Sequence, residues 1–116
     1  MINIDVEIKD SFHKKLNHSK LEKAVELGLD HAIQECENTC RIEAPIDTGN
    51  LRRSIKKHNA GKGVRELRAT DAPYWVYVQF GTSKMKENPF VTRTVTKVGP
   101  KIPKYIKQEV DHAIGG

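Results

Sequence analysis

The side chains that could do chemistry at neutral pH are five histidines, two cysteines and a few rows of acids. The histidines, His13, His18, His31, His58 and His112, are scattered. None forms a His-Glu-x-x-His pair or a Cys/His pair at metal-ligand spacing. His31 and His112 each follow an Asp on a polar stretch, where a solvent-exposed imidazole is the expected state. Cys36 and Cys40 stand four apart in a helical pattern and point to one side. Two thiols cannot complete a four-ligand zinc site, so they read as small buried hydrophobes. Glu22, Glu26 and Asp30 share one helix side and have no histidine beside them, so a solvated helix face is the preferred reading. Ser54 and Ser83 lack the Gly-x-Ser-x-Gly turn of an activated serine. Gly61-Lys62-Gly63 is too short to wrap a phosphate and suits a hairpin turn. No set of polar groups converges as a reaction would need. The expectation is a binding or structural role without catalysis, metal or cofactor.

The elements that must position these residues form one domain of 116 residues. Charged residues make up 30% and hydrophobic residues 37%. A small core under a large solvated surface is expected. No run approaches the ~20 apolar residues of a membrane span. The opening Met-Ile-Asn-Ile-Asp-Val-Glu-Ile alternates apolar and polar, unlike a signal peptide, and synthesis inside the cell is expected. Residues 1–47 carry ten acids against six bases, a net of −4. Residues 48–116 carry five acids against fourteen bases, a net of +9. Unless the fold interleaves the halves, such polarity suits DNA or another anionic partner, or copies docking head to tail.

Residues 2–8 alternate as a strand, with Ile2, Ile4, Val6 and Ile8 on one side. Phe12 and Leu16 allow a helical turn or two within 9–18. Ser19 with Glu22 makes a capping box. It opens a long helix to about Glu43 along the stripe Leu21, Ala24, Val25, Gly28, Leu29, Ala32, Ile33, Cys36 and Cys40. Pro45 stops it. Gly28 on the apolar stripe costs up to ~1 kcal/mol relative to Ala, which a closely approaching backbone would justify. Asp47 or Thr48 can cap a short helix over Gly49–Ile55, with Leu51 and Ile55 inward and Arg52 and Arg53 outward. Residues 56–70 read as an exposed or edge hairpin guarded by lysines.

Residues 74–90 hold the only Trp, two of three Tyr and two of three Phe. Tyr74–Phe80 can be a strand, which composition favours, or two helical turns after Pro73. Gly81 stops it and a polar loop runs to Asn88. Pro89 opens a last helix with Phe90, Val91, Thr94, Val95 and Val98 at helical steps. Gly99-Pro100 breaks that helix. Ile102, Ile106, Val110 and Ile114 carry the stripe on, with Lys97, Lys101, Lys104 and Lys107 opposite. The fold class expected is α+β: a long N-terminal helix and a C-terminal helix packed on a small, mostly antiparallel sheet.

Nucleic-acid binding is the main alternative that the residues alone raise. Arg52, Arg53, Lys56 and Lys57 cluster, and Arg65, Arg68, Lys84, Lys86 and Arg93 add to them. There is no zinc finger and no helix-turn-helix spacing, so sequence-specific reading is disfavoured and non-specific phosphate contact is the better form of the idea.

Three segments together resemble a known family. Ala44-Pro45-Ile46-Asp47-Thr48-Gly49-Asn50-Leu51-Arg52-Arg53-Ser54-Ile55 is similar to the A-P-V-D-T-G-x-L-R-x-S-I signature of the lambdoid gene-ten-like tail-component family of tailed phages. Ala72-Pro73-Tyr74 with Tyr77-Val78-Gln79-Phe80-Gly81-Thr82-Ser83-Lys84-Met85 resembles its second signature, and Asn88-Pro89-Phe90 with Arg93 and Val95 its third. Order and spacing match over about residues 19–98. Gln79 stands for the usual Glu, Asn88 for the usual Arg, and Val95 for a small residue.

The resemblance implies a non-enzymatic α+β virion protein at the head–tail junction or in the tail, made in the host cytoplasm. Such proteins commonly form ring oligomers and touch portal, connector or tail-tube proteins. It gives Pro45, Asp47, Thr48, Gly49, Leu51, Ile55, Tyr74, Val78, Phe80, Gly81, Thr82, Pro89 and Phe90 structural roles. Tyr74, Val78 and Phe80 are expected to fill the centre, so that Phe80→Ala would cost about 3–5 kcal/mol. Arg52, Arg53, Lys56, Lys57, Arg65, Arg68, Trp75 and Tyr77 are the candidate subunit or DNA contacts.

Overall fold

A computed structural model describes residues 1–6, 18–46 and 49–115. Strand β1 (Ile2–Asp5) is followed by the long helix α1 (His18–Glu43) and the short helix α2 (Asn50–Ser54). The hairpin β2 (Lys56–Gly61) and β3 (Val64–Arg68) comes next, then α3 (Trp75–Phe80). Helix α4 (Phe90–Val98) runs through a 3-10 turn at Gly99–Lys101 into α5 (Ile102–Gly115). The three strands form one antiparallel sheet in the order β1-β3-β2. The chain is therefore α+β: a small antiparallel sheet and a long C-terminal helical segment that both pack chiefly on the long helix α1. No helix of the described residues is long and apolar enough to cross a membrane.

Helix α1 is the spine, and its sequence explains why. Leu21, Ala24, Val25, Leu29, Ala32, Ile33, Cys36 and Cys40 are all buried. Three- and four-residue steps place them on one broad stripe. The sheet covers one flank through Ile4 and Leu67, and α4 covers the C-terminal end through Phe90, Val91 and Val98. On the other flank α5 crosses at Gly28. A methyl group there would lie 2.7 Å from the Ile106 Cα, so only glycine admits that backbone. His31 stacks on Tyr105 beside the crossing, with ring centroids 4.0 Å apart. The molecule is a rod of 56 × 22 × 21 Å. Its radius of gyration is 16.5 Å, against ~13 Å for a compact chain of this length.

Several expectations need correcting. Of the 2–8 strand, Ile2–Asp5 is strand and Val6 lies past its end; residues 7 and 8, with Phe12 and Leu16, lie outside the described residues. Helix α1 starts at His18, so Ser19 sits inside it rather than at its cap position. The 56–70 hairpin is no peripheral ribbon, because β3 is the central strand and Leu67 is fully buried; of its two strands β2 alone lies on an edge, with β1 on the opposite one. The break expected at Gly99-Pro100 is present, as a 3-10 turn between α4 and α5, while Val95, expected on the apolar stripe, is half exposed.

The acidic flank of α1 is not a free solvated face either. Glu26 and Asp30 both bind the guanidinium of Arg65, with Asp30 Oδ1 accepting from Nε at 2.7 Å. Glu22 pairs with Lys62 at 2.7 Å, and Glu37 accepts the Lys57 backbone N–H at 2.8 Å. The sheet lies against this flank. A strand that alternates Arg65 with Leu67 toward the helix needs acids where the arginine lands.

Candidate interaction surface

The three signature segments are distant in sequence but meet at one end of the rod, around the C-terminus of α1. A helix leaves its last carbonyls without internal donors. Here arginines supply them. Arg52 Nη2 donates to the carbonyls of Ala44 at 2.9 Å and Ile42 at 3.3 Å. Arg93 Nη2 donates to the Glu43 carbonyl at 3.1 Å, while its Nε binds the Glu43 carboxylate at 2.7 Å. Cations are also favoured at the negative end of the helix dipole. In return Arg41, in the last turn, donates twice to the Ile55 carbonyl, at 3.0 and 2.7 Å. With Arg93 and Lys97 bonded to it, the Glu43 carboxyl is held below its ordinary pKa.

The second and third segments are joined by Gln79. It lies at 4% exposure on the inward side of α3. Its Oε1 accepts the backbone N–H of Val91 at 2.9 Å, and its Nε2 donates to the Thr92 hydroxyl at 2.6 Å. Pro89, in the cap position, offers α4 no side-chain cap, so Gln79 supplies one from another helix. Asn88 N–H donates to the Val78 carbonyl at 2.8 Å, and Asn88 Oδ1 accepts from Arg93 at 2.6 Å. Asn50 Nδ2 reaches the Tyr74 hydroxyl at 3.0 Å, tying the first segment to the second. Gly81 closes α3 at φ 77°, and a methyl group there would lie 2.8 Å from the Glu87 nitrogen. The return loop therefore packs directly on its backbone.

This framework holds α3 with Val76, Tyr77 and Phe80 facing out. Residues 74–80 are helical, not a strand. Trp75, Val78 and Gln79 turn inward, and Trp75 and Val78 pack on the core. Tyr74 and Val76 are over a third exposed, Tyr77 is 61% exposed and Phe80 67% exposed. Tyr74, Tyr77 and Val78 also line a groove of about 400 Å³ with Pro45, Leu51, Met85, Lys86 and Asn88. The placing of Tyr74 and Phe80 in the centre is overturned, and with it the large cost expected for Phe80→Ala. Phe90 takes the central role and is fully buried. Trp75, expected as a contact, is mostly a packing residue, while Tyr77 is exposed.

The other predicted residues divide similarly. Leu51 and Ile55 are buried as expected, and Cys36 and Cys40 are free, buried thiols. Burial pushes each thiol up to about 11. Gly49 stands at φ 69° before α2. Thr82 is exposed and hydrogen-bonds with Met85 and Lys84 in the loop. The capping roles of Asp47 and Thr48 lie outside the described residues.

Of the basic candidates, Arg65 is at 3% exposure and locked to Glu26 and Asp30, which removes it from any contact surface. Arg68 is exposed but paired with Glu66, Arg52 is committed to the α1 carbonyls, and Lys57 bonds Gln34 through its ammonium. Arg53 and Lys56 remain exposed. Among the described residues no three His, Cys, Asp or Glu side chains gather as a metal-ligand set.

Val76, Phe80 and Met85 were missed as surface residues. The usable signal was the inward set Trp75, Val78, Gln79 at i, i+3, i+4, which leaves Val76 and Phe80 together on the other side. No family model, curated protein or solved structure matches the chain.

Proposed function

We propose that this chain is a non-enzymatic structural subunit of a tailed virus or prophage particle, working in head–tail joining or tail completion as part of an oligomeric ring. One observation carries the reading. The three segments that carry the resemblance build a single end, and that end presents an apolar surface with no partner among the described residues. Large exposed aromatics are costly to leave in water, and contiguous ones mark contact sites. The hydrogen bonds of Gln79, Asn88, Arg52 and Arg93 hold that surface in shape before any partner arrives, which lowers the cost of binding. The occupants that fit are a neighbouring copy of the chain and the portal, connector or tail-tube proteins of the particle, which would be its location after synthesis in the host cytoplasm.

The test is light scattering after size exclusion on the wild type and on Phe80→Glu, over a wide concentration range. Concentration-dependent assembly in the wild type and a monomeric, equally folded Phe80→Glu are expected. A wild type that stays monomeric at the highest concentration, alone and with the particle's connector and tail-tube proteins added, rejects the proposal.

A further inference from the structure

We infer a second, cationic binding face on α4 and α5, built to lie against the phosphate backbone of duplex DNA. The opposed charges of the two halves of the chain do not survive folding as two poles. Four of the six acids of α1 are paired with bases from the second half: Glu22 with Lys62, Glu26 and Asp30 with Arg65, Glu43 with Arg93 and Lys97. The surplus positive charge is left on the surface elsewhere.

Its longest uninterrupted stretch follows Glu87. No Asp or Glu occurs again until Glu109, while Arg93, Lys97, Lys101, Lys104 and Lys107 all fall between. Lys97, Lys101, Lys104 and Lys107 are exposed and follow one another at four-, three- and three-residue steps. They therefore form a ladder of neighbours on the outer side. Ile102, Tyr105, Ile106 and Val110 hold the inner side against the core. Lys97 is shared with Glu43, and Lys107 has Asp111 at 3.9 Å. Lys101 and Lys104 make no ion pair among the described residues. Like charges at these spacings repel along a helix, and an anionic partner removes that repulsion. From Lys101 to Lys107 the ladder spans ~9 Å at the helical rise, enough to reach successive phosphates. The hairpin cluster offers less, since Arg65 and Arg68 are paired with acids and the Lys57 ammonium is held by Gln34.

The experiment is fluorescence anisotropy with an arbitrary 20-base-pair duplex from about 20 to 200 mM salt, where each phosphate contact adds about −0.9 to the slope of log K against log salt. The wild type is expected to bind with a slope near −3, and Lys101→Gln/Lys104→Gln to lose roughly 2 from that slope. Arg53→Gln/Lys56→Gln keeps the wild-type slope. Both pairs are exposed, so thermal melts should coincide. The ladder lies within one protomer, so Phe80→Glu keeps the wild-type slope, which separates this proposal from the oligomer reading. No binding at the lowest salt overturns it. So does loss confined to the Arg53/Lys56 variant, or polyglutamate bound as tightly as the duplex.

Discussion

Gln79 has both kinds of hydrogen-bonding group, and both are used at the start of α4. Replacing it with leucine keeps the volume but leaves the Val91 N–H buried without an acceptor. Such a group costs about 1–3 kcal/mol. Gln79→Leu is expected to lose that much in a urea melt, and an unchanged midpoint would show that water replaces the cap. Glu43 adds a pH dependence. Its folded-state pKa is lowered by Lys97 and Arg93 from an ordinary value of 4.5. A lowered carboxylate stabilises the fold above its unfolded value, and that stability is lost as the pH falls through the folded one. The gap in melting temperature between wild type and Glu43→Gln should therefore be full at pH 7 and close below about pH 4.5. A gap that stays constant down to pH 3 would mean that Glu43 gains nothing from its cations.

At the scale of elements, legibility tracked how local the deciding physics was. The α1 stripe, its stop before Pro45 and the inward Leu51 and Ile55 follow from period and turn chemistry, and the structure has them. The segment 74–80 misled because its Trp, Tyr and Val residues favour strands only where a pleated surface is there to receive them. β3 is already paired on both sides, and the segment packs against α4 rather than adding to the outer edge of β1 or β2. Pro73 sits in the turn from Ala72 to Trp75 that leads into the helix instead. Arg65 was misplaced because its burial depends on acids some 35 and 39 residues away. Asn88 and Gln79 looked like departures from a signature, yet they form the joint between α3 and α4. Gly28 was legible both as an anomaly and by cause, a closely approaching backbone, but not by partner, because Ile106 is far away in the chain. Gly28→Ala should raise helix propensity by up to ~1 kcal/mol yet destabilise the protein. Forcing α5 off the crossing costs about 1–3 kcal/mol. A thermal melt that rises for this variant would show that α5 moves away freely.

Over the whole molecule, the interleaving of charge decides between two ways the rod could assemble. Acidic and basic poles docking head to tail would need uncompensated acids on one surface. The structure pairs Glu22, Glu26 and Asp30 along the sheet flank of α1 and Glu37 and Glu43 toward its C-terminal end. What remains at the α3 end is an aromatic and aliphatic patch beside Lys84 and Lys86, and the rest of the surface carries the net positive charge. Copies of such a molecule repel one another at low ionic strength. They attract through an area whose gain is hydrophobic and insensitive to screening. Self-association should accordingly hold or strengthen between about 50 and 500 mM sodium chloride, as the Debye length falls from about 14 to about 4 Å. Pole-to-pole docking makes the opposite prediction, with dissociation as salt rises. Sedimentation velocity across that range reads the difference. Dissociation at high salt that is unaffected by Phe80→Glu would move the contact off α3 and onto charge.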